Sequence, residues 1–155
     1  MDYIEKIKKK MRRYCVYQER SVFQVKQKLE KNSLTQQQIE TILDDLIQEN
    51  FLNDERFAVI YARGKFYQKK WGKLKIKQGL IQHHIPQKFI EKALLEIPPD
   101  DYQKTIRQLI IKKKKQMNIS SIKLDAKQKI IRYLLQKGFE LEDIIKNLSF
   151  IKLSK

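Results

Sequence analysis

The stretch SVFQVKQKLEKNSLTQQQIETIL, residues 21–43, decides the fold because its apolar pattern returns at residues 72–94 and again at 126–148. In each copy, two apolar residues four positions apart are followed by a break and a second pair with the same spacing. This pattern predicts a short helix, a tight turn and a second helix whose apolar stripe faces the first. The recurring positions are Val25/Ile76/Ile130, Leu29/Leu80/Leu134, Leu34/Ile85/Phe139, Ile39/Ile90/Ile144 and Leu43/Leu94/Leu148.

Polar residues mark where the predicted helices begin and turn. The two S/T-x-x-Q sequences of the first copy have the spacing of capping boxes, and Asn, Asp and Pro are frequent at other helix starts. The predicted start signals are Ser21 with Gln24, Thr35 with Gln38, Asn53, Pro86 and Asp100. Residues that tolerate a left-handed backbone stand at the predicted turns, namely Asn32, His84 and Gly138.

A longer basic and amphipathic segment precedes each helix pair, at residues 3–18, 54–70 and 101–117. The sequence therefore predicts an all-α fold of tandem three-helix modules, with three repeats and about nine helices. Because each module is small, we expect neighbouring modules to share apolar contacts in an elongated, curved array.

The predicted module boundaries are 1–52, 53–98 and 99–155, with the Pro98-Pro99 pair separating the second module from the third. The repeat interval is 51 residues and then 54, and we expect the three additional residues near 118–124.

Composition narrows the class of protein. The 155 residues include 34 Lys and Arg against 18 Asp and Glu, a net charge of +16, which favours a polyanion or an acidic surface as partner. The single Cys15 excludes an internal disulfide framework, and no Cys/His cluster has the spacing of a zinc site. With no apolar leader and no long apolar run, we expect a cytoplasmic protein without a membrane segment.

Charge follows the repeat. The net charge is +8 over residues 6–31, −5 over 32–60, +8 over 61–92 and +10 over 104–137. A periodic basic stripe on an extended scaffold suits a long polyanion or a filament. Alternating charge could instead serve salt bridges between modules, although exposed pairs of this kind contribute little stability.

No arrangement of residues indicates catalysis. The densest carboxylates are Asp44, Asp45, Glu49, Asp54 and Glu55, which suit helix capping and solvent better than the convergent oxygen ligands of a Mg²⁺ site. His83 and His84 are adjacent and cannot chelate together as an i, i+4 pair does. We therefore expect a protein that is not an enzyme and needs neither metal nor cofactor.

Residues 63–77 interleave basic residues with Phe66, Tyr67 and Trp71. Such a stretch suits nucleic-acid contact, because cations reach phosphates and aromatic rings stack on unpaired bases. The alternative is that the rings pack a helix corner while the lysine tails remain hydrated. For Trp71 both interpretations stay open, whereas Phe66 is expected in the core. The run Lys112–Lys115 is expected to be solvated, with electrostatic value only.

Three stretches resemble the RecX family of RecA regulators: residues 20–29, 46–63 and 70–85. The specific parts of this resemblance are the run NDERFA at residues 53–58 and the downstream Gly72. The resemblance implies an all-helical chain that binds along the groove of the RecA filament on single-stranded DNA. It also implies inhibition of RecA recombinase, ATPase and co-protease activities, hence a role in DNA repair, homologous recombination and the SOS response.

The family has no sharply bounded site motif to transfer, so candidate binding residues are chosen by charge and position. The residues predicted to contact RecA or DNA are Arg56, Arg63, Lys65, Lys69, Lys70, Trp71, Lys73 and Lys75. We expect the chain to act as a monomer. Two alternatives stay open: a RecA-independent nucleic-acid-binding protein with helix-turn-helix-like modules, and a scaffold for an acidic protein partner.

Overall fold

The structure, a computed structural model, describes residues 2–117 and 124–154, with side chains up to Ile151. Within these ranges the chain forms nine α-helices and no strand, which confirms the predicted all-α class. The helices are α1 Tyr3–Tyr17, α2 Val22–Leu29, α3 Gln36–Gln48, α4 Asp54–Lys69, α5 Lys73–Gln82, α6 Gln87–Leu95, α7 Pro99–Gln116, α8 Leu124–Gln136 and α9 Leu141–Ser154. The additional residues expected near 118–124 fall almost wholly outside the described ranges.

Local capping sets several helix starts as predicted. Ser21 and Thr35 each accept a hydrogen bond from the backbone N–H three residues on, and Gln24 and Gln38 bond back to the cap residue's N–H. The side chain of Asn53 accepts from the backbone N–H of Arg56 at 2.9 Å. These bonds satisfy N–H groups that a helix leaves unpaired in its first turn.

The prediction of Asp100 as an N-cap is wrong. Helix α7 already begins at Pro99, after Pro98, and its N-cap has no side-chain hydrogen bond. Proline at the first helical position has a suitable fixed φ and lacks an N–H that would otherwise be unpaired. Asp100 therefore lies inside the first turn, where its charge interacts favourably with the helix dipole.

The predicted turns end their helices either with a left-handed residue or with a side-chain hydrogen bond. His84 and Gly138 have positive φ angles of 56° and 94°, as expected for left-handed turn residues. Asn32 does not adopt this conformation; its side-chain amide donates to the carbonyl of Lys28 at 3.2 Å and so satisfies a helix-end acceptor. Asn50 and Lys70 supply left-handed turns that the sequence pattern did not indicate.

The apolar repeat forms the core. Of its fifteen positions, thirteen are buried, and only Leu34 and Leu94 are half-exposed. Phe66 is also fully buried, as expected. Backbone contacts divide the chain into two compact units, Met1–Tyr61 with Leu80–Ala93 and Ala62–Gly79 with Leu94–Lys155. The module boundaries at 52/53 and 98/99 stay a prediction.

In the first unit, α1 and α2 both pack on α3. Met11, Val25, Leu29 and Ile42 belong to one buried cluster. His84 stacks on Phe23 with ring centroids 3.7 Å apart, which places an aromatic contact beside this helical core.

In the second unit, the start of α5 is bonded to backbone that is distant in sequence. The N–H of Gly72 donates to Lys137 O at 2.7 Å, and the N–H of Leu74 donates to Gly138 O at 3.0 Å. Between them, the N–H of Lys73 donates to the Tyr102 hydroxyl at 2.9 Å. Three N–H groups at the start of α5 are thereby satisfied by α7 and by the α8–α9 turn.

Glycine is required on both sides of this contact. A Cβ on Gly72 would lie 2.3 Å from the carbonyl carbon of Gly138, closer than van der Waals contact allows. A Cβ on Gly138 would lie 2.4 Å from Cβ of Lys75, and its φ of 94° already disfavours other residues. The two turns can meet only because both residues lack a side chain.

We expect Gly72→Ala to lower the free energy of unfolding by about 1–3 kcal/mol, because the new methyl group forces two backbone segments apart. Gly64→Ala is the matched control: it lies inside α4 with nothing within 4 Å of the new Cβ. That change should instead stabilise the helix by about 0.5–1 kcal/mol. Urea denaturation of both variants measures the difference, and equal stabilities would contradict the close contact.

We expect Leu80→Ala to lower the free energy of unfolding by about 2–5 kcal/mol, because Leu80 is fully buried and its truncation leaves a cavity. Leu74→Ala on the same helix provides the control, since Leu74 is 49% exposed and its loss should cost less than about 1 kcal/mol. Thermal unfolding followed by circular dichroism distinguishes the two. A Leu80→Ala midpoint no lower than that of the control would contradict the placement of Leu80 in the core.

Candidate functional site

The turn between α4 and α5 presents an aromatic ring flanked by lysines. The half-buried Trp71 has Lys65 Nζ 4.8 Å and Lys75 Nζ 4.6 Å from its ring centroid. Both distances lie within the range of cation–π attraction. The ring is held in place through its backbone, because the N–H of Trp71 donates to Lys65 O at 3.1 Å.

A second ring with the same surroundings lies on α8. Lys113 Nζ is 4.7 Å and Lys137 Nζ is 5.8 Å from the ring centroid of Tyr133. Lys137 connects this ring to the α4–α5 turn, since its ammonium group donates to Lys69 O at 3.2 Å. Helices α4, α5, α7 and α8 thus contribute side chains to a joint arrangement.

Like charges meet at Lys137. Burial lowers the pKa of its ammonium group, and the nearby positive charges of Lys75 and Lys112 lower it further. A bound anion would relieve this repulsion and favour the charged form of Lys137. We call the residues Lys65, Trp71, Lys75, Lys112, Lys113, Tyr133 and Lys137 the lysine cluster.

Three further predicted residues lie next to the lysine cluster but have structural contacts. Lys69 contributes its carbonyl to Lys137, and Lys70 Nζ donates to Tyr67 O at 2.9 Å in the left-handed turn. Lys73 is bonded to Tyr102 through its backbone, and its Nζ lies 4.9 Å from the Tyr102 ring centroid. The Tyr102 hydroxyl in turn donates to Glu140, so Lys73 is part of a polar network at the start of α5.

The two predicted arginines are not part of the lysine cluster. Arg56 belongs to the first unit, where its guanidinium donates to Glu19 at 2.8 Å, to Asn50 at 3.1 Å and to Phe51 O at 3.4 Å. These bonds hold the turn that precedes α4. Arg63 is on the exposed side of α4 in the second unit, 3.8 Å from a Glu96 carboxylate oxygen.

Four members of the lysine cluster were missed by sequence reasoning: Lys112, Lys113, Tyr133 and Lys137. The run Lys112–Lys115 was interpreted as solvated, and no local pattern places α8 beside the α4–α5 turn. The available signal was the pair of isolated glycines in a chain with only four. Gly72 and Gly138 mark where two turns approach each other, and the neighbouring lysines follow from that approach.

The acidic residues are used in ion pairs and caps. Asp45 lies 2.8 Å from Lys8 and Glu49 lies 3.0 Å from Arg12, which joins α3 to α1. The Asp54 carboxylate accepts from the N–H of Val22 at 2.9 Å, and burial raises its pKa despite this bond. Over residues 2–117 and 124–154, no three His, Cys, Asp or Glu residues are grouped so that they could hold a metal ion.

Among the helices of the described residues, none combines the length and the apolar character needed to cross a membrane.

Comparison with known proteins identifies the family. A family model described as RecX, second three-helix domain, matches residues 53–94, and one described as RecX, third three-helix domain, matches residues 89–146. Among solved structures, RecX from Lactobacillus salivarius superimposes with a TM-score of 0.84 at 26% identity, covering 95% of this chain and 97% of that one. Another crystal structure of regulatory protein RecX gives a TM-score of 0.79 at 25% identity over 90% of this chain and 68% of that one.

Relatives named regulatory protein RecX support the same family assignment. The protein of Bacillus cytotoxicus is 30% identical over 132 residues, and that of Halalkalibacterium halodurans is 32% identical over 128 residues. These matches cover 85% and 81% of this chain but 48% and 47% of the relatives, so the chain spans about half of their length. The protein of Neisseria gonorrhoeae, 29% identical, is matched over 78% of its length. With nine helices in its described residues and two matched three-helix domains, the chain belongs to the RecX family of regulatory proteins.

Proposed function

We propose that this protein binds the RecA filament on single-stranded DNA and inhibits the recombinase, ATPase and co-protease activities of RecA. The observation that carries the proposal is the lysine cluster, in which lysines from several helices surround the rings of Trp71 and Tyr133. The names of the relatives support a regulatory role rather than a catalytic one.

The chemistry of the lysine cluster fits a single strand of DNA. Lysine ammonium groups bind phosphates and release condensed counterions, which favours association at low salt. Aromatic side chains stack on bases that are unpaired, a contact that a duplex does not offer at its surface. A DNA strand held in a protein filament presents a long row of regularly spaced phosphates. A basic surface built on a helical repeat can contact several of them at once.

A second candidate function follows from the same residues. A basic surface with two aromatic rings could bind free nucleic acid without any contact with RecA, using the helix pairs as helix-turn-helix-like units. The two functions differ in the binding partner: the first requires binding to the RecA filament, whereas the second inhibits RecA only by covering the DNA. The contact residues Arg56, Arg63, Lys69, Lys70 and Lys73 stay a prediction in either case.

We expect the DNA-dependent ATPase of RecA to fall severalfold when this protein is titrated onto filaments, at concentrations that leave free single-stranded DNA unoccupied. DNA binding is measured in parallel by fluorescence anisotropy at the same salt concentration. Lys75→Glu with Lys112→Glu should weaken inhibition, whereas Lys127→Glu with Lys129→Glu on α8 provides a control of equal charge. Inhibition only where the protein coats the DNA would favour the second function, and unchanged ATPase would exclude the first.

We expect Lys137→Met to weaken binding to single-stranded DNA and to reduce the slope of log K against log salt by about 0.7, the value for one lost phosphate contact. The same change should not destabilise the fold. Because the pKa of Lys137 is lowered in the folded state, the unfolded chain binds this proton more tightly. The free energy of unfolding of the wild type should therefore rise as pH increases through the folded pKa toward the ordinary value of 10.5. Lys137→Met removes the same positive charge and should give the same gain in stability at neutral pH.

Urea denaturation at low and high salt measures this stability effect, which should shrink as salt screens the repulsion. A Lys137→Met protein that is less stable at low salt but binds DNA normally would show that Lys137 has a structural role only.

A further inference from the structure

A groove between α7 and α9 has no lining residue in common with the lysine cluster. It has a volume of about 440 Å³ and belongs entirely to the second unit. Its lining residues are Lys104, Arg107, Gln108, Ile111, Lys114, Phe150 and Ile151. Nothing in the proposed function uses this groove.

The groove combines an apolar floor with a basic rim. Ile111 is 53% exposed and Phe150 is 58% exposed, so both present apolar surface to any ligand in the groove. Lys104, Arg107 and Lys114 border that surface, and no acidic residue is among the lining residues of this described region. A phosphate backbone alone would satisfy the rim but leave the apolar floor in contact with water.

The rim is organised by buried polar groups. Arg107 donates to the Asn147 side-chain oxygen at 3.1 Å, and its guanidinium carbon lies 5.3 Å from the Phe150 ring centroid. Asn147 is only 2% exposed and donates to Gln103 at 2.7 Å and to Asp143 O at 2.8 Å. Arg107 is therefore held against the groove wall with further N–H donors available for a carboxylate.

The length of the groove indicates the size of its occupant. The α7 lining residues extend from Lys104 to Lys114, about 15 Å at the helical rise of 1.5 Å per residue. Two to three turns of an amphipathic helix have the same length and present apolar side chains on one stripe with charged side chains beside it.

We propose that the α7–α9 groove docks an acidic amphipathic helix of a partner protein. Apolar residues of the partner pack on Ile111 and Phe150, and its flanking carboxylates pair with Lys104, Arg107 and Lys114. The partner helix must be acidic because three cationic side chains surround the apolar floor of the groove and attract complementary negative charge.

The test uses the full chain and a fluorescein-labelled peptide of about 14 residues, long enough for the groove. The peptide has Leu and Phe at i, i+3 and i+4 spacing and Glu at the flanking positions. Because a protein with a net charge of +16 attracts any acidic peptide, a scrambled peptide of the same composition is the essential control. A second control replaces each Glu by Lys. Fluorescence anisotropy should show binding of the amphipathic peptide at least about tenfold tighter than of either control.

Groove variants separate specific docking from general attraction. Ile111→Ser and the double change Lys104→Glu with Lys114→Glu should each weaken binding at least about fivefold. Leu95→Ser, at a residue 80% exposed, and Lys115→Glu with Lys129→Glu are matched controls outside the groove and should bind as wild type. Circular dichroism checks that every variant is folded, and the rim variant leaves the bond between Arg107 and Asn147 in place.

Four results would overturn the proposal. Equal binding of the scrambled peptide, or unchanged binding by both groove variants, would show that the attraction is not specific to the groove. If oligothymidylate displaces the peptide from the wild type but not from the Lys104→Glu, Lys114→Glu variant, the basic rim is part of a nucleic-acid-binding surface. A concentration-dependent dimer in sedimentation that dissociates in Ile111→Ser would identify a second copy of this chain as the occupant.

Discussion

The close approach of Gly72 and Gly138 is the constraint on which the second unit depends. At this point the start of α5 donates backbone hydrogen bonds to a turn that is far away in sequence, with Gly72 N–H donating to Lys137 O at 2.7 Å. The first turn of α5 has its N–H groups satisfied here by groups of α7 and the α8–α9 turn. The contact therefore sets both the start of α5 and the position of α8 beside the α4–α5 turn.

The same contact explains why like charges are close together. Lys137 precedes Gly138, and Lys75 lies against it, so the two ammonium groups are brought near each other by backbone geometry rather than by mutual attraction. Hydrogen bonds between main-chain groups and the buried packing of Phe66 and Phe139 offset the repulsion. The lysines are therefore held close together by a fold that is stabilised by other interactions.

Sequence reasoning succeeded where the determinants are local. The capping boxes at Ser21 and Thr35 and the buried repeat positions follow from spacing within a few residues, so periodicity was sufficient. It failed at Asp100 because α7 begins at Pro99, two residues before the start that an Asp100 N-cap predicts. It also missed Lys137 and Tyr133, since their place beside the α4–α5 turn depends on a contact across more than sixty residues of sequence.

Charge has two distinct roles in this chain, and the distinction supports a binding function. In the first unit, carboxylates face cations at short distances, as in the pairs Lys8–Asp45 and Arg12–Glu49 that join α1 to α3. In the second unit, Lys137 has its pKa lowered by burial and by other lysines, an arrangement that costs stability when every group is charged. A fold selected for stability alone gains nothing from such repulsion, whereas a ligand with regularly spaced negative charge converts it into attraction.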